Sequence, residues 1–211
     1  MNTAALQSAN DTSNNILRAA KRLFALYGYH GASVKQITRE AGVNSALVSY
    51  HFGGKAQLYQ KVLEQLADKL RNLVERLKTD RQSPLQDILS FLDGIAMLFL
   101  QDPDSMHILY QEFLMPTQYG NAAVSKHFLL FYDELVEEFE NAKAQQSVKQ
   151  ECDSRRTVFI LFSIFSFYLL TYNYKAIAEF NRLPGANDFL RLHDVYVDYL
   201  NSISTGKEVL Q

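Results

Sequence analysis

The sequence predicts an all-α fold, and three observations predict it. Apolar residues recur at three- and four-residue spacing through most of the 211 residues. Cap-then-proline helix starts stand at Ser83-Pro84 and Asp102-Pro103. No stretch alternates apolar and polar residues as a half-buried strand does. With 47% hydrophobic residues and only nine Gly and four Pro, the chain can bury a core of one large domain or two small ones, which excludes low-complexity disorder.

The elements follow in order. Ile16, Ala20, Leu23, Phe24 and Tyr27 share one face of a helix over 16–27, with Arg18, Lys21 and Arg22 opposite, and Gly28 and Gly31 punctuate its end. Ser33 and Gln36 form a capping box: the Ser33 hydroxyl takes an orphan amide while Gln36 reaches back, so a short helix runs over 34–40. Ala41-Gly42-Val43 is a turn, with Gly42 at the position suited to positive φ. Asn44 caps a second short helix over 45–51. After Gly53-Gly54, Leu58, Val62, Leu66, Leu70, Leu73 and Leu77 line one stripe of a helix over 55–78. Helices at 84–101, at 103–115 (ended by Pro116) and at about 122–145 come next, and 147–153 is a polar loop. A long aromatic helix spans about 154–182, Pro184-Gly185 breaks it, and a last helix covers 187–203.

Residues 157–174 contain eighteen consecutive uncharged residues, near the lower limit for a membrane span. The run holds Thr, Ser, Asn and Tyr, and it has no second like it. A helix apolar all round is also what a core helix at a subunit interface looks like, and that reading is preferred to a single-span membrane protein.

Charge is divided unevenly. Residues 1–81 carry twelve Lys/Arg against six Asp/Glu, and residues 82–211 carry nine against seventeen. A basic N-terminal part on an acidic remainder suggests that one end meets a polyanion. Cys152 is the single cysteine and forms no internal disulfide, and the first fifteen residues lack the basic start and apolar run of a secretory signal. The expected location is the cytoplasm.

The pattern over 33–52 is a helix-turn-helix. Ile37, Ala41, Val43 and Val48 sit where the two short helices must touch, and Gly42 turns the chain between them. The second helix is then free to enter a major groove and present its N-terminal side chains to base edges.

The N-terminal part resembles the TetR family of transcriptional regulators. The resemblance is carried by Ile16-Leu17-Arg18-Ala19-Ala20, Leu23-Phe24, Gly28-Tyr29, Ser33-Val34, Ile37, Ala41-Gly42-Val43, Tyr50-His51-Phe52, Lys55 and Leu58-Tyr59, which cover about 50 residues. It implies a three-helix helix-turn-helix domain followed by a larger helical ligand-sensing and dimerisation domain, and a homodimer built on the last two helices. The divisions are a flexible arm over 1–13, the DNA-binding domain over 14–54, a connecting helix over 55–80 and the sensing and dimerisation domain over 81–211. Two positions depart from the family: Ser49, commonly Tyr or Phe, and Thr38, commonly Ala. The Ser49 change bears on base preference.

Ser33, at a helix N-terminus, is expected to bind a phosphate. Asn44, Ser45, Ala46, Ser49 and Tyr50 are expected on the exposed face of the recognition helix. Asn44 and Ser45 are within reach of base edges or backbone there, and Ala46 suits a thymine methyl. Lys35 and Arg39 add electrostatic contacts. By resemblance, Tyr50 and His51 touch phosphate or sugar, and Lys55 opens the next helix against a phosphate.

The remainder is rich in aromatics, which suits a hydrophobic or aromatic effector. Tyr110, Gln111, Tyr132 and Tyr168 are the candidate pocket residues, because their polar groups would otherwise be awkward inside. The five His are scattered and no paired Cys exists, so no metal site, cofactor or catalytic group is expected. Asp104 and His107, one turn apart, lack a third ligand. The acidic run Asp133, Glu134, Glu137, Glu138 and Glu140 is expected to be a solvated face. The leading function is therefore a repressor released from a palindromic operator by a small molecule. A helical interaction protein that keeps the helix-turn-helix only as a hairpin stays open beside it.

Overall fold

The computed structural model describes residues 3–172, 188–207 and 210. Its helices are α1 (Thr3–Gly31), α2 (Val34–Ala41), α3 (Ala46–Phe52), α4 (Lys55–Thr79), α5 (Pro84–Gln101), α6 (Pro103–Leu114), α7 (Gly120–Ala144), α8 (Ser154–Tyr172) and α9 (Asp188–Ile203). Among the described residues the only strand-like pairing is one antiparallel bridge between Val148 and Ser204. The predicted tail of the aromatic helix beyond 172 and the break at Pro184-Gly185 lie outside the described residues.

Helix ends follow local chemistry. α1 starts at Thr3, well before the first apolar stripe residue, Ile16. Residues 3–15 contain no Pro or Gly to stop a helix nucleated by the packed turns, although Asn10–Asn15 are weak helix formers. The other end kinks at Gly28, whose φ of 67° leaves the helical range. In α2 the capping box forms as predicted: the Gln36 amide donates to Ser33 Oγ at 3.2 Å and the Ser33 amide donates to Gln36 Oε1 at 2.9 Å. Pro103 opens α6 and Asp102 caps it, accepting from the Ser105 amide at 3.3 Å.

The chain packs as two units, 1–71 with 98–129 and 72–97 with 130–211, so α4, α5 and α7 each contribute to both. In the first unit Ile16, Ala20, Phe24, Ile37, Val48, Leu58, Tyr59 and Leu63 are buried together with Met106 and Ile108. Burying each large side chain of this set is worth roughly 1.5–3 kcal/mol. Asp102 gathers three helices of this unit, accepting from Lys21 of α1 at 2.8 Å and from Lys69 of α4.

In the second unit Leu85, Ile88, Phe91, Phe131, Leu135, Phe139, Leu161, Phe165, Tyr196 and Leu200 form the core. Here the acidic run of α7 departs from the solvated face expected. Glu138 is only 2% exposed and pairs with Arg81 at 2.5 Å, and Glu134 is half-buried against Lys78 at 2.5 Å. The reason is periodicity: Glu134 and Glu138 stand one turn apart, alongside buried Leu135 and Phe139, whereas Asp133, Glu137 and Glu140 point to solvent.

No helix among the described residues is long and apolar enough to cross a membrane.

Candidate nucleic-acid interface

The two short helices are fixed from inside. Ile37 and Val48 are fully buried, Ala41 and Val43 are half-buried, and Thr38 fits the buried face of α2. Gly42 turns the chain at φ 68°, a left-handed conformation that a side chain would strain, and its amide donates to the Arg39 carbonyl at 3.3 Å. The N-cap of α3 is Ser45, which makes no side-chain cap bond, and not Asn44 as expected. Asn44, one residue earlier, accepts at Oδ1 from the Ala46 amide at 2.9 Å in a local turn, and its side-chain NH₂ remains available as a donor.

With the inner face occupied, the outer face is left to solvent. Ser33, Lys35, Arg39, Asn44, Ser45, Ala46, Ser49 and Tyr50 are all exposed, and His51 and Lys55 are half-buried. Tyr50 is 81% exposed, a position that burial alone would never select for an aromatic ring, and His51 lies edge-on to it at 5.0 Å. Arg39 stands apart from the α3 residues. It lines a cleft of about 350 Å³ between α1 and α2 with Leu26, Tyr27 and the Arg22–Glu40 ion pair.

Lys55 opens α4, and its ammonium lies over the ring of Tyr29, 4.5 Å from the centroid. Burial beside these rings draws the Lys55 pKa below the usual lysine value, and Tyr119 opposes that shift. Tyr29 is in turn flanked by Tyr59 at 5.0 Å and Tyr119 at 4.8 Å between ring centroids. Its hydroxyl donates to that of Tyr119 at 3.3 Å, and this bond, then burial, pushes the Tyr29 pKa up to about 12. Beneath them Glu112, 5% exposed, accepts from the Tyr59 hydroxyl at 2.5 Å and from the Thr117 amide and hydroxyl at 2.9 and 2.8 Å.

This cluster was missed in the sequence. Tyr29 and Tyr59 stand among the residues that carry the family resemblance, but no local pattern pairs them with Glu112 or Tyr119. The single signal was a carboxylate, Glu112, placed among apolar residues of a helix that buries Ile108 and Leu109.

Gln111 donates to the Ala25 carbonyl at 2.8 Å and so braces the kinked end of α1. Tyr132 donates to the Arg155 carbonyl at 2.8 Å. Tyr110 is half-buried, and the Tyr168 side chain lies outside the described residues. The cavities described in the two units are lined by none of the four. Among the described residues no His, Cys, Asp and Glu group could hold a metal ion.

Residues 16–62 match the family model for bacterial regulatory proteins of the tetR family. Over that span the chain is a TetR-family sequence. The HTH-type transcriptional repressor NicS of Pseudomonas putida is 31% identical over 106 residues, 50% of each chain. The chain thus spans about half the length of the curated relatives it matches. Whole-chain likeness is in the fold. A TetR-family regulator from Agrobacterium tumefaciens aligns with TM-score 0.71 at 17% identity, covering 93% of this chain and 100% of that one. FadR of Bacillus subtilis, solved with stearoyl-CoA, aligns with TM-score 0.67 at 15% identity over 88% of this chain and 96% of its own. The exposed outer face of α2 and α3, inside the matched span, is the candidate DNA surface.

Proposed function

We propose that this TetR-family regulator is a homodimeric repressor that reads a palindromic operator with α3 and leaves it when a small hydrophobic effector binds. The observation that carries the DNA reading is the exposure of Asn44, Ser45, Ala46, Ser49 and Tyr50 on a helix whose opposite face is pinned by Val48. Ser33, Tyr50, His51 and Lys55 would hold the phosphates on either side, with Lys35 adding charge. Arg39 contributes through the long-range field. Asn44 and Ser45 would read base edges, and Ala46 would meet a thymine methyl.

The dimer is supported by the apolar side chains that α8 and α9 leave outside: Phe159, Ile160, Phe167 and Val195 are exposed in the single chain. The effector reading is supported by the fold shared with FadR, a protein solved with a fatty acyl thioester. The protein would act in the cytoplasm, where its DNA lies.

Footprinting of the full chain on the DNA flanking its own gene tests this reading. Two protected half-sites with centres about one helical turn apart, or a multiple of it, are expected from a dimer with two recognition helices. Uniform or absent protection across that DNA, combined with a monomer by sedimentation, contradicts it.

A further inference from the structure

We propose that Tyr29 is a positioning residue for DNA binding, its ring face holding the Lys55 ammonium at the start of α4 while Tyr119, from the turn between α6 and α7, holds the ring. The inference rests on the reading that Lys55 meets a phosphate, and it assigns a role to residues on the opposite side of Lys55 from the DNA.

A lysine stem has four rotatable bonds, so an unrestrained ammonium must lose most of its freedom to make one contact. Lys55 is restrained before any DNA arrives. Its ammonium stands 4.5 Å from the Tyr29 centroid, within the range where a ring quadrupole attracts a cation. Among the described residues it makes no ion pair, whereas Lys61, Lys69 and Lys78 of the same helix each do.

That difference has a chemical consequence. A carboxylate in the place of Tyr29 would neutralise the ammonium and compete with a phosphate. A ring orients the cation without cancelling its charge, so the positive charge is kept for a phosphate.

The ring itself is fixed. Tyr59 and Tyr119 pack on it, the Tyr119 hydroxyl accepts its hydrogen bond, and Tyr59 is tied down by the buried Glu112. Glu112 also accepts from Thr117, whose hydroxyl accepts the Tyr119 and Gly120 amides at 3.3 and 3.2 Å. The turn that carries Tyr119 and the ring that carries Lys55 are therefore one hydrogen-bonded and stacked cluster.

The test is fluorescence anisotropy of the full chain on a labelled duplex of arbitrary sequence at low salt, because a phosphate contact acts on any DNA. Wild type, Tyr29→Leu, Lys55→Ala and the double variant form a cycle. Tyr29→Leu is expected to weaken binding roughly two- to fivefold, Tyr29→Phe to keep wild-type affinity, and Tyr29→Leu to add nothing in the Lys55→Ala background. An equal loss in both backgrounds, or no loss in wild type, overturns the positioning role.

If Lys55→Ala itself leaves affinity unchanged, the DNA face proposed for Lys55 is wrong, which is a separate failure. Should Tyr29→Leu not fold, Tyr29→Met supplies a flexible apolar side chain that fills irregular space without the ring face. The wild-type protein also carries its own readout. The Lys55 ε-methylene protons should be shifted upfield by the ring in the NMR spectrum, and ordinary lysine shifts there contradict the contact.

Discussion

The hydroxyl of Tyr59 on α4 donates to the buried carboxylate of Glu112 on α6 at 2.5 Å. Burial, and then Glu112 itself, raise the Tyr59 pKa far above the ordinary tyrosine value, so the phenol stays a donor under all working conditions. Two helices are thus joined by a polar contact inside an apolar core, where an unpaired carboxylate would be costly.

Tyr59→Phe keeps the ring and removes that donor. The expected loss of stability is about 1–3 kcal/mol, the cost of leaving a buried acceptor short of a partner. Urea denaturation of wild type and variant checks it, with unchanged midpoints as the contrary result.

Gly120 is where the same carboxylate leaves no room. A Cβ at this position would stand 1.7 Å from Glu112 Oε2, and that oxygen is held by the Thr117 amide. Gly120→Ala is expected to cost about 1–3 kcal/mol, as overpacking does. In a Glu112→Ala background the added cost should vanish, because the obstructing atoms are gone. A cost that persists there would locate the strain elsewhere.

How much of this was legible in the sequence depends on range. The capping box of Ser33 and Gln36, the Gly42 turn and the burial of Ile37 and Val48 are local, set by residues a few positions apart, and they stand as expected. The outer face of α3 followed by subtraction. Contacts across the chain were not legible: Tyr59 meets Glu112 over 53 positions and Tyr29 meets Tyr119 over 90. Charge misled in one place. Five acidic residues in α7 read as solvated, yet Glu138 faces inward because Arg81, far away in sequence, is there to meet it.

Arg81 therefore carries more than a surface charge. Glu138 pairs with it at 2.5 Å and is nearly inaccessible, whereas Arg81 is 40% exposed. Arg81→Ala is expected to destabilise by about 2–3 kcal/mol, below the full cost of breaking a buried pair because water reaches the arginine side. Adding Glu138→Gln should restore part of that loss in thermal unfolding. Further destabilisation by the second change would mean that the charge on Glu138 has another partner.

Asp102 gives the fold a defined response to acid. Burial pushes its pKa up, but hydrogen bonds from Lys21, Lys69 and Ser105 together outweigh this and hold the carboxyl well below the usual carboxylate range. A folded-state pKa below the unfolded value of about 3.9 makes its contribution complete above that pH and lost as pH falls toward the folded value. Stability should therefore drop between about pH 4 and pH 2 more steeply in wild type than in Asp102→Asn. Parallel curves for the two proteins would show that the three donors contribute nothing to folding.

The central claim is that the face built by α3 and the start of α4 binds DNA. The most direct measurement is anisotropy of wild type, Tyr50→Ala and Lys55→Ala on DNA flanking the gene and on unrelated DNA, across a salt series. Wild type is expected to bind one flanking stretch tightly, with affinity falling steeply as salt rises. Lys55→Ala should lower the magnitude of the log–log salt slope by about 0.9, one phosphate contact, and both variants should bind more weakly with the dimer intact. Unchanged affinity and slope in both variants would contradict the assignment of this face.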